Sequence, residues 1–277
     1  MAAASVVVLA VTPVGVEAPV PQDTPLCGGD CAAVAAPAVR RASQPVAAAP
    51  PARFPTTRAV RSARRWVRRR ALASFALIDT RGRLRGLAPH RRYVSASVVK
   101  AMLLVGRLRQ IGNRMPSEAE RGVLAPMIRI SDNDAADVVY AQVGDAGLLD
   151  LARRAHMRDL TTGGHWGATY FSAADQARFF LRFERLVPKR SRAYARRLLS
   201  SVVAHQRWGF TRVARRHGWR TFLKGGWRQT DLGSLVHEAA LFERDGRRFA
   251  LAVLTDANPS HAYGTATLRG VARRLFR

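Results

Sequence analysis

Three short segments carry the residue types that acyl chemistry needs. Ser97-Val98-Val99-Lys100 opens a predicted helix. Positions three apart share a helix face, so the amine sits one turn above the hydroxyl. The unpaired N–H groups and dipole of a helix N-terminus favour a developing anion. A near-neutral Lys100 in that place takes the proton of Ser97 and makes it a nucleophile. Ser131-Asp132-Asn133 follows 34 residues after Ser97, between two predicted helices. Its hydroxyl suits proton relay and its amide suits a substrate carbonyl. The same tripeptide also reads as a helix cap, Ser131 pairing with Asp134. Lys224-Gly225-Gly226 lies on a predicted strand, where glycines mark the close approach of another backbone and Lys224 offers a cation to an anionic substrate. A strand-end turn is the plainer reading. Taken together, the three segments use two of the three lysines in the chain.

Those residues need a frame. Ser74 to Thr80 reads as a buried strand, Arg81-Gly82 as a turn, and Arg83 to Ala88 as the returning strand. Helical patterns then dominate: Ser97 to Gln110, Ser117 to Ile130, Asn133 to Val143 and Gly147 to Ala155, followed by Ser172 to Val187, Ser191 to Ala204 and Phe210 to Arg216. Pro116 and Gly144 punctuate them. Strands resume at Thr221 to Trp227, Leu232 to Phe242 and Phe249 to Thr255, with Asp245-Gly246 as a hairpin signal. Tyr263 to Phe276 closes as a helix. Strands at both ends around an all-helical middle predict an α+β domain, with a five-stranded antiparallel sheet and helices packed on it.

Composition bounds the alternatives. The chain has 277 residues, 46 basic against 19 acidic, a net charge of +27, and 48% apolar residues. That apolar share suits a folded protein and excludes a wholly disordered one. No apolar run reaches the ~18 residues of a membrane span. All but three of the basic residues are arginine, spread along the chain rather than gathered in one stripe. A general arginine bias is favoured over a nucleic-acid binder on that ground. Residues 1–18 are apolar and small, and Val16-Glu17-Ala18 resembles a signal-cleavage site, although a basic start is missing. Residues 19–70 are rich in Pro, Ala and Arg and read as a disordered linker, closed by the basic run Arg64 to Arg70. The folded domain is expected over 71–277. Cys27 and Cys31 fit a local disulfide or two free thiols and no zinc set, and no metal or other cofactor is expected.

The three segments, in this order and each in its own kind of element, resemble the class A β-lactamase and penicillin-binding superfamily. Its signatures are S-x-x-K, S-D-N and K-T-G. The resemblance runs from about Ser74 to the C-terminus. It implies that Ser97 is the acyl-accepting nucleophile, Lys100 its base, and Ser131 the relay to the leaving nitrogen. Asn133 then holds the acylamide side chain and Lys224 attracts the substrate carboxylate. Gly226 allows close approach, and the backbone N–H groups of Ser97 and Trp227 form the oxyanion hole. The implied substrates are β-lactams or peptidoglycan-type acyl-D-Ala-D-Ala peptides. The implied place is secreted or at the cell envelope, with an anionic wall polymer as a further partner.

Two departures bear on the chemistry. Gly225 stands where the family has Thr or Ser, so a hydroxyl contact to the carboxylate is lost, with Arg228 a substitute. The stretch Leu160 to Ala174 holds no acid, where class A enzymes have the glutamate that activates the deacylating water. Asp159 and Asp175 only flank it, and His165 is the one stand-in. The expectation is an acyl-enzyme that forms and is cleared slowly. A D,D-peptidase-like or non-catalytic cell-wall protein is the alternative in the same fold. A basic module for nucleic acid or anionic polymer is the alternative outside it. His205, His217, His237 and His261 read as structural or solvated, and the tryptophans as core.

Overall fold

The computed structural model describes residues 55–276. The candidate signal segment, most of the expected linker, and both cysteines lie outside the described residues. The folded body begins earlier than 71. Helix α1 (Thr57–Val67) occupies the end of the expected linker. Its sequence is dense in arginine, yet Val60, Ala63 and Val67 are buried along one stripe. Trp66 fixes it to the C-terminal helix α8 (His261–Leu275). The indole N–H donates to the Thr267 carbonyl at 3.1 Å. Gly270 leaves the room: a Cβ there would lie 2.1 Å from Trp66 Nε1. Arg70 and Arg274 stack on the same ring at 4.8 and 4.4 Å.

The sheet is five-stranded and antiparallel in the order β2-β1-β7-β6-β5. Its strands are β1 (Ala73–Asp79), β2 (Leu84–Leu87), β5 (Arg220–Thr230), β6 (Gly233–Arg244) and β7 (Arg247–Asn258). All seven residues of β1 are buried, so its apolar run reflects cover on both faces rather than an alternating strand. Asp245 and Gly246 take positive φ (49° and 71°), the two-residue hairpin that their types demand. Helix α8, with α1 against it, packs on one side of the sheet. Helix α5 (Ala173–Leu186) packs on β1, β6 and β7 from the other.

The middle of the chain is helical as expected, with α2 (Lys100–Ile111), α3 (Glu118–Arg129), α4 (Asn133–Ala155), α6 (Arg192–Ser200) and α7 (Thr211–Arg216). Gly144, at φ 62° and ψ 179°, breaks α4 where the sequence punctuates it. Ser131 is not the helix cap. Asp132 is, and its carboxylate accepts from Ala135 N at 2.8 Å. A second sheet pairs β3 (Arg92–Val94) with β4 (Tyr170–Ser172). Strands of three residues carry no readable period, and the pairing is long-range. Among the described residues, no helix is long and apolar enough to cross a membrane.

Candidate active site

Ser97 sits in a 3-10 turn, Ala96–Val99, immediately before α2. The expected helix start is therefore tighter than an α-helix. In a 3-10 turn, side chains three apart eclipse, which brings Lys100 over Ser97. Ala96, just before the serine, has φ +43°, and Ser131 has φ +65°. Left-handed backbone at non-glycine residues is strained, and both positions border one cleft.

That cleft has a volume of about 720 Å³, and Ser97, Ser131, Asn133 and Trp227 all line it. Lys100 and Lys224 are fully buried. Their ammonium groups converge on Ser131 from two elements. Lys100 Nζ donates to the Ser131 carbonyl (2.6 Å), the Asp132 carbonyl (3.0 Å) and Asn133 Oδ1 (2.6 Å). Lys224 Nζ donates to Ser131 Oγ at 3.0 Å and to the Gly225 carbonyl at 2.9 Å. Burial pulls the Lys100 amine down to about 8, against the attraction of Asp132 and Asp137. Lys224 is held well below the usual lysine range, first by burial and then by the Lys100 cation. Two buried amines whose proton affinity is lowered, one of them bonded to the Ser131 hydroxyl, in the cleft that Ser97 lines are the material of nucleophile activation and proton relay.

Strand β5 supplies the opposite wall. A Cβ on Gly226 would lie 2.9 Å from Ser97 N and 3.0 Å from Val98 N. The glycine thus lets the strand pass directly against the serine's backbone N–H groups. Lys224 pairs across the sheet with Ala239, and Gly225 with Glu238, so neighbours on β5 point to opposite faces. Gly225 faces Trp208, whose Cζ2 would be 3.2 Å from a Cβ there. Trp208 in turn meets Trp227 and His261 edge-on at 4.9 and 5.0 Å. An aromatic ring therefore fills the space beside Gly225, and a β-branched side chain at 225 has to displace it. Arg228 lines the cleft beyond Trp227.

The segment after α4 forms the third wall, without an acid as expected, and it departs from the expectation only at His165. None of the cleft-lining side chains is a carboxylate. Asp175 is buried and accepts from the backbone N–H groups of Arg158 and Asp159 at 2.7 and 3.0 Å. Asp159 accepts from Ser172 Oγ at 2.6 Å and faces His90 Nδ1 at 2.8 Å. Both acids tie the segment down. His165 lines the cleft, but its two nitrogens are engaged: Nδ1 accepts from Gly167 N at 3.0 Å, and Nε2 faces Asp137 Oδ1 at 3.2 Å. No lone pair is left to activate water. Trp166 takes the wall itself. Its ring lies 4.7 Å from Lys100 Nζ, and its N–H donates to Asp137 Oδ1 at 2.6 Å.

Trp227 is thus an exposed cleft wall rather than core, Trp166 is core as expected and lines the cleft as well, and Trp219 is buried against Phe249 and Phe276. His237 is structural as expected. It is buried between Val94 O and Thr255 N, and burial lowers it to about 4. Asp137 was the residue to find. It lies four after Asn133, one turn along the same helix face.

The profile of the beta-lactamase enzyme family matches residues 120–277, a segment that begins after Ser97 and Lys100. No curated protein matches. Among solved structures, a β-lactamase from Sphaerobacter thermophilus DSM 20745 superposes with TM-score 0.65 at 17% identity, over 78% of this chain and 95% of that one. PBP-A superposes with TM-score 0.64 at 17% identity, over 82% and 97%. An ancestral class A β-lactamase (GNCA) gives 0.63 at 19%, over 78% and 98%. At such identities the likeness speaks to the fold.

Proposed function

Because the chain belongs to the beta-lactamase enzyme family, we propose that it is a serine acyl-enzyme hydrolase that acylates readily and deacylates slowly. Ser97 Oγ attacks the acyl carbonyl of a β-lactam or of an acyl-D-Ala-D-Ala peptide. The neutral fraction of Lys100 takes the serine proton, and the negative charge on the carbonyl oxygen falls to the N–H groups of Ser97 and Trp227. Ser131, hydrogen-bonded to Lys224, returns a proton to the leaving nitrogen, and the C–N bond breaks to leave an ester on Ser97. Asn133 orients the acylamide arm. Lys224 acts on the substrate carboxylate through Ser131, and Arg228 supplies the exposed cation.

Water must then cleave the ester. The cleft offers it an indole and a histidine with both nitrogens in use. Losing a general base costs ~10²–10⁴-fold. We place the reaction outside the membrane, where such peptides and drugs are met. The observation that carries this reading is the convergence of Lys100 and Lys224 on Ser131 in the cleft that holds Ser97.

Labelling with a fluorescent penicillin tests it. Wild type is expected to give a covalent band that Ser97→Ala lacks. Equal labelling of both, or of neither across several β-lactams, overturns the assignment.

A further inference from the structure

A second hollow adjoins the acyl cleft. It has a volume of about 280 Å³, and Trp227 and Arg228 line both spaces as their partition. Trp208 and His261 add two more rings to its lining. Trp208 stands edge-on to Trp227 at 4.9 Å and to His261 at 5.0 Å, and Trp227 remains 38% exposed. Trp208 keeps its place because a Cβ on Gly225 would lie 3.2 Å from its Cζ2. The glycine that gives up the family's hydroxyl therefore admits the ring.

Two polar atoms of this lining are buried without a hydrogen-bond partner among the described residues: the indole N–H of Trp208 and the amide oxygen of Gln206. Gln206 is 5% exposed. Its Nε2 donates to the Ile130 carbonyl at 2.8 Å, which leaves Oε1 as the open end of the amide. Buried groups of this kind are costly to leave unmade. The hollow thus keeps one donor and one acceptor beside its rings.

Its place is on the leaving-group side. Gln206 holds the carbonyl just before Ser131, the hydroxyl that serves the leaving nitrogen in the proposed reaction. His165, Trp166 and Tyr170, which line the cleft, do not line the hollow. Arg228, on the partition, is the cation proposed for the substrate carboxylate, so a side chain next to that carboxylate is the part that enters. The space is smaller than the ~300 Å³ and upward that whole drug-sized ligands fill, which suits one side chain. Aromatic rings pair with aromatic walls beyond what their area alone gives. No carboxylate lines the hollow, so a cationic arm finds no partner there.

We propose that this hollow is a specificity subsite for leaving groups that carry an aromatic, hydrogen-bonding side chain next to their carboxylate. The inference rests on the acyl-enzyme reading of Ser97. The ring packs on Trp208, Trp227 and His261, its polar substituent meets the Trp208 N–H and Gln206 Oε1, and the carboxylate stays with Arg228.

The test uses acyl-D-alanyl thioesters with one acyl arm. Their leaving thiols are α-mercapto carboxylates that differ only in side chain: methyl, benzyl, hydroxybenzyl or cyclohexylmethyl. In each, Ser97 Oγ bonds to the acyl carbon, the C–S bond breaks, and the serine proton leaves with the thiol, whose release is measured. Acylation of wild type is expected to be about tenfold or more faster with benzyl than with methyl. Hydroxybenzyl should gain about threefold more, and cyclohexylmethyl should lag benzyl by about threefold. His261→Ala is expected to lower the benzyl-to-methyl ratio by about threefold, and Trp208→Phe to erase the gain from the hydroxyl. Ratios cancel any change in the reactivity of the serine itself.

Thiol release from all four donors at one rate overturns the subsite and leaves the acyl-enzyme reading standing. Cyclohexylmethyl as fast as benzyl overturns the aromatic assignment. A preference that survives unchanged in both variants places the ring outside this hollow and overturns the inference. No release from any donor, in wild type as in Ser97→Ala, contradicts the acyl-enzyme reading itself, and the inference falls with it.

Discussion

On one side of the cleft that Ser97 lines, the buried amines of Lys100 and Lys224 meet the carbonyl and the hydroxyl oxygen of Ser131 through bonds of 2.6 and 3.0 Å. On another side, the polar groups of residues 157–172 are engaged with one another and with Asp137, Asp145 and Asp175 around them. Asp159 and Asp175 hold backbone and Ser172, Asp137 holds Trp166, and His165 is closed at both nitrogens. On the proposed reading, acylation and deacylation are separable demands that fall to separate walls, and it is the second that lacks a base for water.

The largest effect expected comes from breaking the first wall. Lys100→Met is expected to slow acylation by ~10²–10⁴-fold, measured as the second-order rate of penicillin labelling. In wild type the same rate should rise with pH through about 8 and then level, because only the neutral amine accepts the serine proton. Two units below that value about one hundredth of the amine is neutral, so labelling at pH 6 is expected to be about 100-fold slower than the plateau. A flat profile excludes Lys100 as the base.

The second wall should respond in the opposite sense. Trp166→Ala opens the space beside Lys100 to water, and the adduct is expected to decay about tenfold faster than in wild type. Trp166→Phe, which keeps an aromatic wall, is expected to leave the lifetime within about twofold. If neither variant alters the lifetime, Trp166 is not what shields the ester.

The acylating wall also depends on what lies behind β5. Glu238 is fully buried there, accepts from Phe210 N at 2.7 Å, and is pushed up to about 8 by burial. The folded state therefore holds a proton that the unfolded chain loses near its ordinary value. Its stabilising contribution is complete at acid pH, declines as pH rises above that ordinary value, and is lost through about 8. Glu238→Gln is expected to abolish this decline, seen as an unfolding free energy that no longer falls, by an amount on the order of a few kcal/mol, between pH 5 and 8. A parallel fall in both proteins refutes the assignment.

Gly225→Thr is expected to cost about 1–3 kcal/mol by crowding Trp208. Gly225→Thr/Trp208→Ala relieves the crowding and restores the family's hydroxyl, so it should melt higher than Gly225→Thr/Trp208→Phe and label faster than wild type. A single Gly225→Thr that melts like wild type means that Trp208 moves freely.

How much of this was legible follows from range in sequence. The two strands, the helical middle and the three-strand end were readable from local period, and the Asp245-Gly246 turn from residue type. Ser97, Lys100, Ser131, Asn133, Lys224 and Gly226 were readable because lysines are so scarce that two in matching contexts stand out. Trp166 was not, because nothing local distinguishes a cleft tryptophan from a core one; its placement depends on Asp137, 29 residues away. Helix α1 was hidden by its arginines, which mask a narrow apolar stripe that needs α8 to complete it. Trp208 against Gly225 is a contact between two elements and has no period to read.

The central claim is the separation of the two steps, and the lifetime of the acyl-enzyme tests it most directly. Intact mass should be followed after brief exposure to a penicillin and removal of the excess, in wild type and Ser97→Ala. The account predicts a stoichiometric adduct in wild type alone that persists long after the drug is gone. An adduct that clears within the first turnovers, with hydrolysed drug accumulating, contradicts it.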